Sequence, residues 1–150
     1  MARILVLRTS TDFTIMRLFK ELDCDDVDCL IQSSQLQRYR DMFPNVRFID
    51  IKSEGFYDIP YEIISSISNI VYDQIYIAFS GFVGHNYGNV VELVNQCSYR
   101  KLFFYNCDSE KIQAPQYGIL EEKLILLYMK IVRMNIRFKN KLLFGKSNVK

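Results

Sequence analysis

The chain is poor in the residues that most often bind metals or carry redox chemistry. Its 150 residues include one histidine, His85, and four cysteines, no two of which are spaced as Cys-x-x-Cys. Because a zinc site needs a cluster of such ligands, we expect no metal. Cys24, Cys29, Cys97 and Cys107 are then expected to be free thiols, as is typical of a reducing, cytoplasmic location.

Long apolar runs and targeting segments are missing as well. No run approaches the ~20 apolar residues that span a bilayer. Residues 1–3 lead directly into an apolar segment, without the separate regions of a signal peptide, so we expect no such peptide. With 49% hydrophobic and 24% charged residues, and without repeats or low-complexity tracts, the chain is expected to form one globular domain.

The sequence also lacks a recognisable phosphate-binding loop, and its first 120 residues have no excess of basic residues. Gly81, Gly84 and Gly88 have the spacing G-x-x-G-x-x-x-G, which matches neither the dinucleotide fingerprint nor a P-loop. We interpret them as turn residues and expect no cofactor.

The charges are distributed unevenly along the chain. From Glu121 onward there are eight Lys or Arg against two Glu (+6); since the whole chain carries +2, the first 120 residues carry −4. Nucleic-acid binding by the body of the protein is therefore not expected.

Apolar and β-branched runs predict five strands with helices between them, at residues 4–7, 27–31, 46–51, 74–79 and 102–105. Ser34 and Gln37 have the spacing of a capping box before the second helix, and residues 106–116 are predicted as a connector. The alternation predicts an α/β fold, with a single Rossmann-like three-layer domain over residues 1–117 and a five-stranded parallel sheet of order 3-2-1-4-5. Residues 118–150 are predicted as a long, basic, amphipathic helix and tail, packed on this domain or on a partner.

Polar side chains follow the first and fourth predicted strands, which are neighbours in this order. Because the chain leaves these strands in opposite directions, their carboxyl ends form the switch point where open α/β sheets bind ligands. The predicted ligand-binding residues, some in the loops after these strands and one after the fifth, are Arg8, Thr9, Ser10, Thr11, Ser80, Gly81, His85, Asn86 and Asn106.

Each of these residues admits a chemical and a structural interpretation. The Arg8 guanidinium suits a phosphate or carboxylate, and the hydroxyls after it suit an oxyanion at a helix start. Asp12 or His85 could move a proton, and Asp12 is the predicted catalytic residue. Asp12, Ser10 and Thr11 equally suit the cap of a helix, and a lone loop histidine equally suits solvent.

The C-terminal helix carries more apolar surface than one contact with its own domain requires. Lys123, Lys130, Arg133, Arg137 and Lys141 are predicted to share one face. A separate apolar stripe is formed by Leu124, Leu127, Ile131, Met134 and Phe138. The sequence leaves open whether this surface is covered by the protein's own domain, by a second copy or partner protein, or by peripheral contact with a membrane.

The strand and loop patterns resemble the N-terminal half of heptosyltransferase-like (ADP-heptose type) glycosyltransferases of the GT-B type. The resemblance covers residues 3–107 and is carried by the opening strand and Arg-x-Ser loop (ILVLRTS, 4–10), the second strand (VDCLI, 27–31), Phe43-Pro44 and the fourth strand (YDQIYI, 72–77). It implies sugar transfer in cell-surface polysaccharide synthesis, with a sugar or phosphosugar as ligand.

The chain departs from that family at the catalytic position. The family's opening loop continues to a Gly-Asp pair whose Asp is the base near the acceptor sugar. An ungapped alignment places Phe13 and Thr14 there, and only a two-residue shortening gives Asp12 that role. Beyond Gln116 the sequence predicts one helix where the family has its sugar-nucleotide-binding half, so we do not expect transfer by this chain alone.

Two other functions fit the pattern. A non-catalytic binding or assembly module would fill the crevice with its own side chains, and Phe13 and Tyr87 are the candidates. A flavodoxin-like or receiver-like domain would have a related strand order. The receiver version lacks paired acidic residues after the first strand, and the flavin version lacks a phosphate loop.

Overall fold

A computed structural model describes residues 2–22, 26–81, 87–115 and 122–144, the last range without the side chains of residues 122, 137 and 139–144. The elements, in chain order, are β1 Arg3–Leu7, α1 Asp12–Glu21, β2 Asp26–Ile31, a 3₁₀ turn Ser33–Gln35, α2 Leu36–Met42, β3 Arg47–Asp50, α3 Tyr61–Ser68, β4 Val71–Ala78, α4 Gly88–Asn95, β5 Ser98–Tyr105, β6 Lys111–Gln113 and α5 Glu122–Phe144.

The protein has an α/β fold with a largely parallel sheet. The strand order is β3-β2-β1-β4-β5-β6, in which β1 to β5 are parallel and β6 is antiparallel to β5. The prediction of five strands, all parallel, is therefore wrong in strand count and in the complete order, although the run 3-2-1-4-5 lies within the sheet. β1 and β4 are adjacent, and Leu7 pairs with Ile77.

The extra strand lies inside the segment predicted as a connector. The Asn106 side chain closes the turn before it, because its Oδ1 accepts the backbone N–H groups of Asp108 and Glu110, each at 3.0 Å. Ser109 has a φ of 61°, in the left-handed region. β6 is three residues long, and Ile112 is its only buried residue. So short a strand leaves no alternation for a sequence pattern to reveal.

Helices cover both faces of the sheet, as the strand periodicity requires. Ile4 and Val6 point to the face covered by α1 and α2, whereas Leu5 and Leu7 point to the face covered by α3 and α4. Two apolar clusters result, one on each side of the sheet. The same alternation leaves β1 buried on both sides, which is typical of a central parallel strand.

Helix α5 packs on the face that α3 and α4 cover. Ile125 and Met129 are buried in that apolar cluster, and Tyr128 donates a hydrogen bond to the backbone oxygen of Gln113 in β6. Arg133, one of the residues of the predicted basic face, is buried and pairs with Asp108 at 2.8 Å. Lys123 and Lys130 are exposed, and the side chains of Arg137 and Lys141 lie outside the described residues.

The predicted capping box at the second helix is wrong. The chain forms a 3₁₀ turn at Ser33–Gln35 before α2 begins at Leu36, and Ser34 donates its hydroxyl hydrogen to Glu54 at 2.6 Å. The serine hydroxyl therefore binds the carboxylate of Glu54, in the loop after β3, and does not cap the helix. In the part of the chain that the structure describes, no helix combines the length and apolarity needed to cross a membrane.

Candidate functional site

A cavity of about 410 Å³ opens at the carboxyl ends of β1 and β4. The chain turns from β1 to β2 on one side and from β4 to β5 on the other, so this position is the topological switch point of the sheet. Four of the predicted ligand-binding residues form part of its wall, namely Arg8, Thr9, Ser10 and Ser80.

The other predicted residues do not line this cavity. Thr11 precedes α1 and Asp12 is its first residue, and neither of them nor Gly81 lines the cavity. Asn106 is fully buried and holds the turn between β5 and β6. His85 and Asn86 lie outside the described residues.

The remaining wall includes Tyr87, which the sequence predicted as a residue that could fill the crevice. The other wall residues come from segments that the sequence pattern did not mark as part of a site, and they are Gln32, Phe56, Tyr57, Asn89 and Val90. Gln32 directly follows β2, so the same rule about carboxyl ends of strands could have identified it. Phe56 and Tyr57 belong to the loop after β3, and Asn89 donates a hydrogen bond to the Phe56 backbone oxygen at 2.6 Å. No local pattern marks that long-range contact.

A second cavity of about 210 Å³ continues from the first along α4. Both cavities are lined by Phe56, Tyr57 and Asn89, and the second also reaches Glu92 and Gln96. Tyr57 is 75% exposed and stands between the two. Because they share these lining residues, the two cavities are neighbours on one face of the protein, and together we call them the groove.

Arg8 is held on the cavity wall by its neighbours. Its guanidinium donates to Gln32 Oε1 at 3.0 Å and to Asp12 Oδ1 at 2.7 Å, and its Cζ lies 5.0 Å from the centre of the Tyr39 ring. Gln32 in return donates to the Arg8 backbone oxygen. The charge of Arg8 is thus compensated within the protein, and the side chain is fixed in orientation.

Asp12 accepts hydrogen bonds from three side chains. Arg8 and Tyr39 each lie 2.7 Å from Oδ1, and Arg38 lies 2.6 Å from Oδ2. The hydrogen bond from Tyr39, together with those from Arg8 and Arg38, outweighs the effect of burial and lowers the pKa of Asp12 to about 2. A carboxylate with that pKa is a weak proton acceptor near neutral pH. The catalytic role of Asp12 stays a prediction, and the geometry favours a structural one.

Tyr87 connects the loops after β1 and β4. Its hydroxyl donates to the Thr9 backbone oxygen at 2.8 Å and accepts the Ser80 backbone N–H at 3.1 Å. Its ring packs edge-on against Phe79, with centroids 4.6 Å apart. Thr9 adds a second link, because its hydroxyl donates to the Ala78 backbone oxygen at 2.6 Å. Hydrogen bonds therefore connect the carboxyl ends of β1 and β4 at the entrance of the cavity.

Two buried polar atoms of this wall, Arg8 Nε and Ser10 Oγ, form no hydrogen bond with the described residues. Ser10 is 8% exposed. Buried hydroxyls in folded proteins are nearly always hydrogen-bonded, so an orphaned one beside a cavity points to a ligand or a bound water. Among the same residues no group of three His, Cys, Asp or Glu side chains is placed to hold a metal ion.

Comparisons with known proteins do not assign this chain to a family. No protein-family model and no curated protein matches the chain.

Proposed function

We propose that this chain is a sugar-binding α/β domain that resembles the acceptor-side half of a GT-B glycosyltransferase and does not transfer sugars by itself. The observation that carries the proposal is the groove at the switch point, where the unpartnered hydroxyl of Ser10 lies in the same wall as the exposed ring of Tyr57. A sugar presents hydroxyl groups at its edge and an apolar C–H face, and this wall offers a partner for each.

The polar groups of the wall suit a hydroxyl-rich ligand. The hydroxyls of Ser10 and Ser80 can each donate and accept, as sugar hydroxyls do. The aromatic residues Phe56, Tyr57 and Tyr87 supply the apolar area that a small-molecule site needs beside a few placed polar groups. The second cavity beyond Tyr57 gives room for a further ring of the same ligand.

The charges of the wall favour the sugar ring over a phosphate as the recognised part. Arg8 is the cation among the described wall residues, and Asp12 already compensates it at 2.7 Å. A phosphate would have to compete with that carboxylate for the guanidinium. The sugar ring needs only the neutral groups, so we expect sugars with and without a phosphate to bind alike.

The position of the acidic group argues against transfer by this chain. In the ungapped alignment with the family, Thr14 occupies the place of the catalytic carboxylate; here it is buried, with its Oγ1 3.2 Å from Thr11 Oγ1. Asp12 lies beside the cavity but not on its wall, and its pKa of about 2 suits an anchor for Arg8 more than a base. We therefore expect binding without turnover.

The proposal is tested by titrating the isotopically labelled full chain with glucose, mannose, mannose 6-phosphate and inorganic phosphate, and following amide resonances by NMR. We expect the sugars to shift the amides of Ser10, Tyr57 and Ser80, with a Kd on the order of millimolar. Tyr57→Ala should weaken this binding about tenfold, which corresponds to about 1.4 kcal/mol. Tyr61→Ala is the matched control, because Tyr61 is 77% exposed and does not line the cavity.

Three results would contradict the proposal. One is sugar binding that Tyr57→Ala leaves unchanged, the second is a response to inorganic phosphate alone, and the third is the absence of a response to any sugar. A complete lack of response to every sugar would favour the second candidate function, an assembly module without a ligand. That candidate is favoured by Tyr87, whose hydroxyl already occupies part of the crevice between Thr9 and Ser80. Phe13, the other residue predicted to fill the crevice, is 64% exposed and does not line it.

A further inference from the structure

We propose that α5 forms a parallel two-stranded coiled coil with α5 of a second copy of this chain. Its outer surface carries a stripe of five apolar residues, each between 49% and 69% exposed: Leu124, Leu127, Ile131, Met134 and Phe138. Their separations along the helix are 3, 4, 3 and 4 residues, the alternation of positions a and d in a heptad. We call this set the outer stripe.

The outer stripe faces away from the domain that holds the helix. Ile125 and Met129 are 4% and 1% exposed in the apolar cluster beneath α5, and Arg133 is paired with Asp108. At 100° per residue these anchors lie on the side of the helix opposite the outer stripe. One helix thus has two apolar faces, and its own domain covers only one of them.

The shape of the outer stripe selects a helix as its partner. A strict a/d stripe is narrow and fits the seam between two helices, whereas a helix lying in a membrane surface presents a wider apolar face. Here exposed Lys123 and Lys130 lie along one edge of the stripe, and polar Asn135 lies along the other. A second copy offers an identical seam, so one stripe can cover the other around a two-fold axis.

The exposed area reaches the minimum for a specific dimer. At about 100 Å² for each side chain, the stripe exposes on the order of 500 Å² of contiguous apolar surface, and a patch of this size on a protein is often a functional one. Two facing stripes can bury about 1,000 Å², which is the smallest area expected of a specific interface. The seam spans only two heptads, but the domain already holds α5 as a helix, so association does not have to pay for helix formation.

The exposed lysines select the parallel arrangement. In heptad terms Lys123 and Lys130 both occupy position g. In an antiparallel pair the g positions of the two copies face each other, which brings like charges together. In a parallel pair position g faces position e of the other copy, so Lys123 lies opposite Tyr128 and Lys130 opposite Asn135, and no like charges meet.

Sedimentation equilibrium of the full chain up to about 100 µM tests the association, because a small interface is expected to be weak and therefore needs a high protein concentration to be detected. We expect a dimer for the wild type and a monomer for the double variant Leu127→Glu/Met134→Glu, with Kd raised at least about 100-fold. Both side chains are exposed, so the circular dichroism spectrum should not change. Tyr61→Glu, an equally apolar-to-acidic change at an exposed site on α3, should remain dimeric.

A cysteine at a d position tests the orientation. In a parallel pair, Leu127 of one copy lies opposite Leu127 of the other copy, and their Cα atoms are within the ~7 Å that a disulfide spans. Leu127→Cys should therefore cross-link two copies under mild oxidation, and the wild type and Tyr61→Cys should not. A dimer that Leu127→Cys does not cross-link would overturn the parallel arrangement.

A monomeric wild type at about 100 µM would overturn the association itself. If that monomer floats with vesicles of phosphatidylserine and phosphatidylcholine and the double variant does not, the stripe is covered by lipid instead. Because the outer stripe and the groove at the switch point share no residue, these results are independent of sugar binding.

Discussion

Asp12 shows how the setting of one residue decides what a carboxylate can do. A loop and a helix supply its donors, with Arg8 preceding α1 and Arg38 and Tyr39 on α2. The same hydrogen bonds that lower its pKa stabilise its charged form and keep the Arg8 side chain on the cavity wall. The geometry thus favours a role for Asp12 in holding Arg8 in place over a role as a base.

We expect Asp12→Asn to lower the free energy of unfolding at pH 7 by about 1–2 kcal/mol. The full difference between a pKa of 3.8 and about 2 corresponds to more than this, but solvent screens a partly exposed ion pair. Because the folded-state pKa is lowered, this contribution is complete above about pH 4–5 and is lost as the pH falls toward 2.

Urea unfolding of the wild type and the variant at pH 7 and pH 3 measures the effect, and the difference between the two proteins should narrow at pH 3. Asp58→Asn, a change at an exposed carboxylate of the loop after β3, is the matched control and should alter stability by less than about 0.5 kcal/mol. A difference for Asp12→Asn that does not depend on pH would contradict the assignment.

At the scale of one element, α5 combines an anchor and a free surface. Its inner residues complete the apolar cluster over the β4–β5 part of the sheet, and Tyr128 and Arg133 attach it to β6 and to the turn before it. The outer stripe is largely exposed and lies on the other side of the helix. The two faces should therefore respond differently to the same truncation.

We expect Met129→Ala to destabilise the protein by about 2–4 kcal/mol, because it leaves a cavity in a closed core. Leu124→Ala on the outer stripe should cost less than about 0.5 kcal/mol in dilute solution, because a 59% exposed side chain leaves no cavity. Alanine has a high helix propensity, so neither substitution should disturb the helix, and the two variants differ mainly in how deeply the lost side chain was buried. Urea unfolding at low protein concentration makes the comparison, and equal losses would show that the inner contact is absent.

At the scale of the whole molecule, burial raises the pKa of several thiols and phenols, so these groups stay protonated in alkaline solution. Burial raises the pKa of the Cys29 and Tyr72 side chains, and it raises those of Cys97 to about 11 and of Tyr39 to about 12. These groups come from both faces of the sheet. In the unfolded chain the thiols ionise near pH 8.5 and the phenols near pH 10. The folded protein thus binds more protons than the unfolded one in alkaline solution.

We expect the free energy of unfolding to be steady from about pH 5 to 8 and to fall progressively above about pH 8.5, by a few kcal/mol at pH 10.5. The sign follows from the raised folded-state pKa values, which stabilise the protein fully below the unfolded pKa and less as the pH rises. Urea unfolding across this range measures it. Cys97→Ala removes one contribution and should make the decline between pH 8.5 and 10.5 shallower, and an unchanged slope would contradict this.

The fold was predictable as far as it depends on local periodicity. The continuous apolar run at residues 4–7 places β1 in the middle of the sheet, and the alternation of strands and helices predicts adjacent β1 and β4. Arg8, Thr9, Ser10 and Ser80 were predicted at the switch point because they directly follow those strands. β6 was missed, since three residues carry no period and a turn built by the Asn106 side chain has no local apolar signal.

The sequence by itself determined which side of each strand and helix is apolar, and hence the layers, the central strands and the edge where polar residues gather. Only the tertiary structure decided the partners of the polar side chains: Asp12 with Arg38 and Tyr39, Ser34 with Glu54, and Arg133 with Asp108. The reason is physical. Apolar burial depends on a residue's position within its own element, whereas a charge or hydroxyl pairs with whichever group packing brings within about 3 Å, at any distance along the chain.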